Sequence, residues 1–241
     1  MSHSNLLKGL FLAILYSFRR CPYAIRARFT LHFLKQVVEL REVVLKDKPE
    51  ALLLLGGRST VPQLIDEKRL DEEQIEKKRY AESLDIIFWA IESAKKQPSS
   101  GLNMLADQLW PASTQTQSEI CAWIDENDHV FKGWLDKYKY ADRHLESPIF
   151  YREQGEVFLQ KIEDVLGTRD FICGNELSLA DVAVFPFIRQ FAGVDSAWFE
   201  KSKYAAVIQW LDGMLNHQSF VASMRKYPQW KNGNTPIFFP N

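Results

Sequence analysis

The sequence predicts a small α/β domain followed by an all-helical domain. Three observations carry this reading. Up to Ile65, strand-like and helix-like segments alternate. Beyond Gly101 almost every signal is helical. Between them, Gln97-Pro98-Ser99-Ser100-Gly101 interrupts the periodicity where a linker belongs. The expected domains are residues 1–97 and 98–241.

The apolar run Leu10–Tyr16 reads as a buried strand. Only Lys8 precedes it closely and no small-residue cleavage site follows, which favours a core strand over a signal peptide. Pro22 to Gln36 reads as a helix with Pro in its first turn, where the missing N–H costs nothing. Val37–Leu45, rich in β-branched residues, is a second strand. Pro49 opens a short helical stretch that Gly56-Gly57 ends, and Val61–Ile65 is a third strand. Strand, helix and strand within ~35 residues predict a parallel pair with a right-handed crossover. The charged stretch Asp66–Arg79 fits a fourth strand, a surface hairpin or an early start of the next helix, which begins by Ser83. In the second domain, helices are expected over Ser118–Lys139, Ile149–Leu166, Ser178–Phe191 and Tyr204–Leu215. A short helix over Ser219–Lys226 and an irregular tail from Pro228 complete the chain. Trp110, Trp123, Phe131, Trp134 and Tyr138 are candidates for lining a second-substrate pocket, though aromatic residues at helical spacing are more often core, and none is named as a site.

Composition narrows the function. Apolar residues make up 46%, enough for a sizeable core, and 30 Lys plus Arg against 31 Asp plus Glu gives a net charge of −1. That balance offers no electrostatic support for a nucleic-acid partner. No segment has the ~18 apolar residues of a membrane span. Cys21, Cys121 and Cys173 are widely spaced and odd in number, which argues against a disulfide framework and for a reducing, cytoplasmic setting. No His/Cys spacing of the zinc type appears, and Gly56-Gly57 lacks the Lys of a phosphate-binding loop. Neither a metal nor a nucleotide is implied.

The chemistry concentrates at Cys21. It falls where the first strand gives way to the Pro22 helix, with Arg19 and Arg20 beside it. Unpaired N–H groups and the positive end of the helix dipole favour a thiolate there, and a thiolate is a nucleophile. Cys121 and Cys173 read as core residues. Ala24 stands where a dithiol enzyme has its second Cys, so Cys21 has no resolving thiol next to it.

Four features occur in order: Tyr16-Ser17-Phe18-Arg19-Arg20-Cys21-Pro22-Tyr23 with Arg26 and Arg28, then Val61-Pro62, then Glu82-Ser83, then Ser178-Leu179-Ala180-Asp181. Together they resemble the cytosolic glutathione transferase superfamily, and within it the cysteine-type, omega-like members. The segment Val44–Glu50 extends the likeness. The resemblance implies a thioredoxin-like N-terminal domain that binds glutathione as cosubstrate. It also implies an all-α helical-bundle C-terminal domain that shapes the pocket for a small hydrophobic or disulfide substrate. Homodimers are common in the family.

On the same basis Cys21 is the catalytic residue. Val61-Pro62 corresponds to the family's Val–cis-Pro pair, whose backbone N–H and C=O meet the cysteinyl part of glutathione. Glu82 and Ser83 correspond to the pair that holds the γ-glutamyl end at a helix start. Omega members often place a Lys at the glycyl end, and Arg58 is the candidate for that role here. Ser178 and Asp181 correspond to the family's capping box, a structural device. The interval from Pro62 to Glu82 is longer than in the family, and Glu72-Glu73 is the alternative pair within it. The implied activity is glutathione-dependent thiol transfer of the deglutathionylating kind by a one-cysteine cycle. Two alternatives stay open: conjugation of electrophiles, with Tyr16, Ser17 or Tyr23 as hydroxyl donor, and a non-enzymatic binding module of the same fold.

Overall fold

A computed structural model describes residues 13–69, 75–97 and 100–240. Residues 10–12 of the first expected strand, residues 98–99 of the linker and the Glu72-Glu73 pair lie outside the described residues. The chain divides into two compact units. One comprises residues up to Ala94 together with those from Ala222 onward; the other is Lys95–Val221.

The first unit is built on a five-stranded sheet of order β4-β3-β1-β2-β5. Strand β1 (Ile14–Ser17) leads into helix α1 (Pro22–Phe33), and β2 (Val38–Glu42) returns parallel to β1 with Ile14 opposite Glu39 and Ser17 opposite Glu42. This is the strand–helix–strand unit read from the sequence. Helix α2 (Glu50–Leu53) is a single turn, and β3 (Gln63–Arg69) runs antiparallel to β1. The charged stretch resolves as a hairpin. Strand β3 continues to Arg69, and β4 (Ile75–Tyr80) pairs with it from Leu64↔Tyr80 to Arg69↔Ile75. Only Gln63, Leu64 and Ile65 of β3 pair with β1, so the far end of the hairpin overhangs the sheet. Its base is tied to helix α3 (Ser83–Lys95), where Trp89 Nε1 donates to Asp66 Oδ2 at 3.0 Å.

The tail departs from expectation. Residues 227–240 return to the first unit, and β5 (Phe238–Phe239) pairs antiparallel with β2, opposite Val38 and Glu39. Those residues therefore do not extend the helical domain expected over 98–241. Leu40 N–H donates to Ile237 O and Trp230 N–H to Glu42 O. The tail is apolar enough to cover two arginines. The Arg28 side chain is fully buried, with its guanidinium 5.5 Å from the Tyr227 ring and 5.3 Å from the Phe239 ring. Arg41 lies 4.2 Å from the Trp230 ring and donates to Tyr16 Oη at 2.7 Å. Aromatic faces supply the favourable charge contact that a plain apolar tail would deny these cations.

The second unit is helical: α4 (Leu102–Leu109), α5 (Thr114–Glu126), α6 (Lys132–Lys139), α7 (Pro148–Leu166), α8 (Leu179–Ala192), α9 (Ser196–Glu200) and α10 (Ala205–Asn216). Helix α11 (Gln218–Ser223) carries the chain out of it. The single helix expected over Ser118–Lys139 is two, joined by a π-helical turn at Asn127–Phe131. Apolar spacing continues through that turn, with Ile124, Phe131 and Leu135 all buried, so periodicity gave no sign of it. Phe131 anchors this core at 4.9 Å from the Phe158 ring and 5.5 Å from Phe191. Gly155 is required where α7 meets Phe191, because a Cβ there would fall 2.5 Å from the ring. Among the described residues no helix is long and apolar enough to cross a membrane.

The capping box read at Ser178 and Asp181 is present. Asp181 Oδ2 accepts from Ser178 N and Oγ, and Oδ1 accepts from Ile172 N and from Trp210 Nε1. One fully buried carboxylate thus joins the start of α8 to the preceding loop and to α10. Burial pushes the Asp181 carboxyl above the usual range, against the donors that pull it down.

Candidate active site

Cys21 is the residue that caps the N-terminus of α1. Its backbone is extended (φ −75°, ψ 124°), its side chain makes no capping hydrogen bond, and no acidic residue stands in the first turn. The first-turn N–H groups of a helix have no partner within it, and here no carboxylate of the helix neutralises them. The thiol points instead at the entrance to β3, donating to Val61 O at 3.5 Å. Cys21 is partly exposed and is not in a disulfide.

The approach to Cys21 is fixed from β2. The turn closes with Cys21 N–H donating to Phe18 O at 3.0 Å, and Arg19 N–H donates to Glu42 Oε1 at 2.8 Å. The other oxygen of Glu42 pairs with Arg28 Nη1 at 3.0 Å. Burial pushes the Glu42 carboxyl up and the Arg28 guanidinium down, even though they face each other. Among the described residues Arg28 Nε and Nη2 have no hydrogen-bond partner, and the Tyr227 and Phe239 rings lie by the guanidinium instead. The two arginines beside the thiol reach other groups: Arg19 Nη1 donates to Met224 O at 3.4 Å, and Arg20 lies 5.3 Å from the Phe18 ring.

The Val61–Pro62 bond is cis. Val61 packs in a small cluster with Tyr16, Val43, Leu52 and Ile65. Among the described residues its backbone N–H makes no hydrogen bond, so beside the Cys21 thiol there is one carbonyl and one open donor.

Ser83 begins α3, and its buried Oγ accepts from Arg26 Nε at 2.9 Å. An accepting hydroxyl keeps its own proton for another acceptor. Helix α1 therefore reaches both other motifs: Cys21 touches the Val61 carbonyl, and Arg26 touches Ser83. Arg26 is almost fully buried, with its guanidinium 4.8 Å from the Tyr23 ring. The carboxylate that caps α3 is Asp85, which accepts from Glu82 N–H at 3.2 Å. The exposed Glu82 carboxylate has no hydrogen-bond partner among the described residues. Arg58 is exposed, and among the described residues only its backbone is engaged: its carbonyl accepts from Gln63 Nε2 at 2.8 Å.

The other cysteines correct the sequence reading. Cys121 is exposed and Cys173 only half-buried, so neither is a core residue. Burial, and then the carboxylates of Glu119 and Asp181, push the Cys173 thiol up to about 12. Among the described residues no group of His, Cys, Asp or Glu is placed to hold a metal ion.

Residues 15–99 match the family model of the glutathione S-transferase N-terminal domain, and residues 122–213 match that of the C-terminal domain. The chain belongs to the glutathione S-transferase family. Its thioredoxin-like sheet and helical second unit are that family's fold. No curated protein matches the sequence. Among solved structures, a glutathione transferase family member from Pseudomonas fluorescens Pf-5 with two glutathione bound is 17% identical with a TM-score of 0.69, covering 92% of this chain and 96% of its own. Glutathione transferase Omega 2C from Trametes versicolor is 20% identical with a TM-score of 0.65, covering 88% and 92%. Ure2p in complex with glutathione is 18% identical with a TM-score of 0.68, covering 93% and 100%. At these identities the likeness is one of fold.

Proposed function

We propose that the protein is an omega-like, one-cysteine thiol transferase that uses glutathione. The observation that carries the reading is the Cys21 thiol at the uncapped start of α1, 3.5 Å from the Val61 carbonyl. The Cys21 thiolate attacks the glutathionyl sulfur of a mixed disulfide. The substrate S–S bond breaks, the substrate sulfur leaves with the electron pair and takes a proton, and Cys21 becomes glutathionylated. A second glutathione, as thiolate, attacks that new disulfide and leaves as oxidised glutathione, returning Cys21 to its thiolate. Atoms and electrons balance without a metal or a nucleotide.

Glutathione lies against Val61, its cysteinyl N–H on Val61 O and its cysteinyl C=O on the open Val61 N–H, as an added strand. Ser83, held by Arg26 as a hydroxyl with its proton available, donates to the γ-glutamyl carboxylate, and Glu82 faces the γ-glutamyl ammonium. Arg58 serves the glycyl end. The protein acts in the cytoplasm as a homodimer on small disulfides. Intact mass spectrometry tests this directly: oxidised glutathione adds one glutathione per chain, and Cys21→Ser removes the adduct. An adduct that persists in Cys21→Ser, or none in the wild type, would overturn it.

A further inference from the structure

Resting on that reading, we propose that Arg79, at the base of the long hairpin, is a positioning residue for the Val61 backbone. The segment between α2 and Val61 has little to hold it. Gly56 and Gly57 are both left-handed, at φ 75° and 61°, a conformation glycine enters at the cost of a wide freedom when unrestrained. Leu54, Gly56, Gly57, Arg58 and Thr60 are exposed. Among the described residues, 57–60 make no backbone–backbone hydrogen bond.

Two side chains supply what the backbone does not. Gln63 follows the Val61–Pro62 bond immediately and is fully buried, and its Nε2 donates to both Arg58 O and Thr60 O at 2.8 Å. Arg79 then fixes Gln63 and the loop together: Nε donates to Gln63 Oε1 at 2.9 Å, Nη1 to Leu55 O at 2.7 Å and Nη2 to Arg58 O at 3.5 Å. Its guanidinium also lies 3.7 Å from where a Cβ on Gly57 would stand. The register makes this reach possible. Arg79 sits opposite Ile65 in the β3–β4 ladder, on the face it shares with Gln63. One planar fork thereby bridges both ends of a loop that ends at Val61, a task the point charge of a lysine performs only in part. The hairpin thus has a role in the unit that carries the thiol: it delivers this arginine to the loop.

The test measures glutathione KM, kcat, Cys21 alkylation rate and backbone hydrogen exchange for wild type, Arg79→Met and Arg79→Lys. Arg79→Met is expected to raise glutathione KM about tenfold, the worth of roughly one charged hydrogen bond, with kcat within about twofold. Cys21 alkylation stays at the wild-type rate while exchange at Leu55 and Gly56, whose N–H groups donate to Leu52 O and Leu53 O, speeds up, and Arg79→Lys recovers part of the loss. A wild-type KM and wild-type exchange in Arg79→Met would overturn the proposal. So would a parallel fall in kcat and alkylation, which marks a general loss of structure. Should Arg79→Met fail to fold, a wild-type KM and exchange pattern in Arg79→Lys overturns it equally. If the wild type itself shows no turnover with glutathione, the proposed function fails, and loop exchange in the variants still decides whether Arg79 holds the loop.

Discussion

The starts of α1 and α8 each have a cysteine beside them, and they use it in opposite ways. At α8 the helix end is filled from within. Asp181 accepts from the Ser178 backbone and hydroxyl, from Ile172 and from Trp210, and its carboxylate occupies the ground a bound anion would take. Cys173, half-buried nearby, feels burial first and the Glu119 and Asp181 charges next, and is held as a thiol. At α1 the capping residue is Cys21 itself, without a side-chain cap and without an acid in the first turn. The start of α8, satisfied by its own buried carboxylate, is a structural joint; the start of α1, with no acid in its first turn, can favour an ionised sulfur.

The contrast breaks most visibly if Cys21 is dispensable. Cys21→Ser should lower thiol transfer to a small disulfide by at least about a hundredfold, because a serine hydroxyl is no nucleophile near neutrality. Retained transfer, or a gain in conjugation of an electrophile with no loss of transfer, would favour a conjugating enzyme. Reactivity sharpens the comparison next. With its thiol pushed up to about 12, Cys173 should be alkylated by iodoacetamide at neutral pH at least about a hundredfold more slowly than Cys21, as peptide mass mapping over time will show.

The helical joint should fail in the opposite sense. Asp181→Ala leaves buried donors of Ile172, Ser178 and Trp210 without their acceptor and should cost about 3 kcal/mol, seen as a lower Tm. Cys21 alkylation kinetics in the folded variant should not change. The smallest effect concerns His32 in the last turn of α1. Burial holds its imidazolium below the ordinary value, so as pH falls the unfolded chain takes up the proton first. Stability present above pH ~6.5 should therefore decline as pH drops below it, and His32→Gln should flatten that decline in urea titrations.

Much of this was legible in the sequence, for local reasons. Alternating apolar runs and the Gly56-Gly57 stop outlined β1 to β3, and the Cys21-Pro22 and Val61-Pro62 pairs marked the two chain segments that meet at the thiol. What stayed hidden depends on long-range pairing. Lys77 and Glu67 carry charge on both strands of the hairpin, so no single face announced β4. The tail reads as irregular because only two residues of it form a strand, and its hold comes from Trp230, Tyr227 and Phe239 closing on arginines far back in the chain. Glu42, Arg26 and Arg79 reach the site region only through tertiary contacts, and a buried arginine looks in sequence like any solvated one.

The most direct measurement is the titration of Cys21 followed by thiolate absorbance, with Cys21→Ser as the blank. A sulfur ionised by the amide end of α1 predicts a midpoint clearly below ~8.5, the value of an unstructured cysteine. A midpoint at or above that value would contradict it.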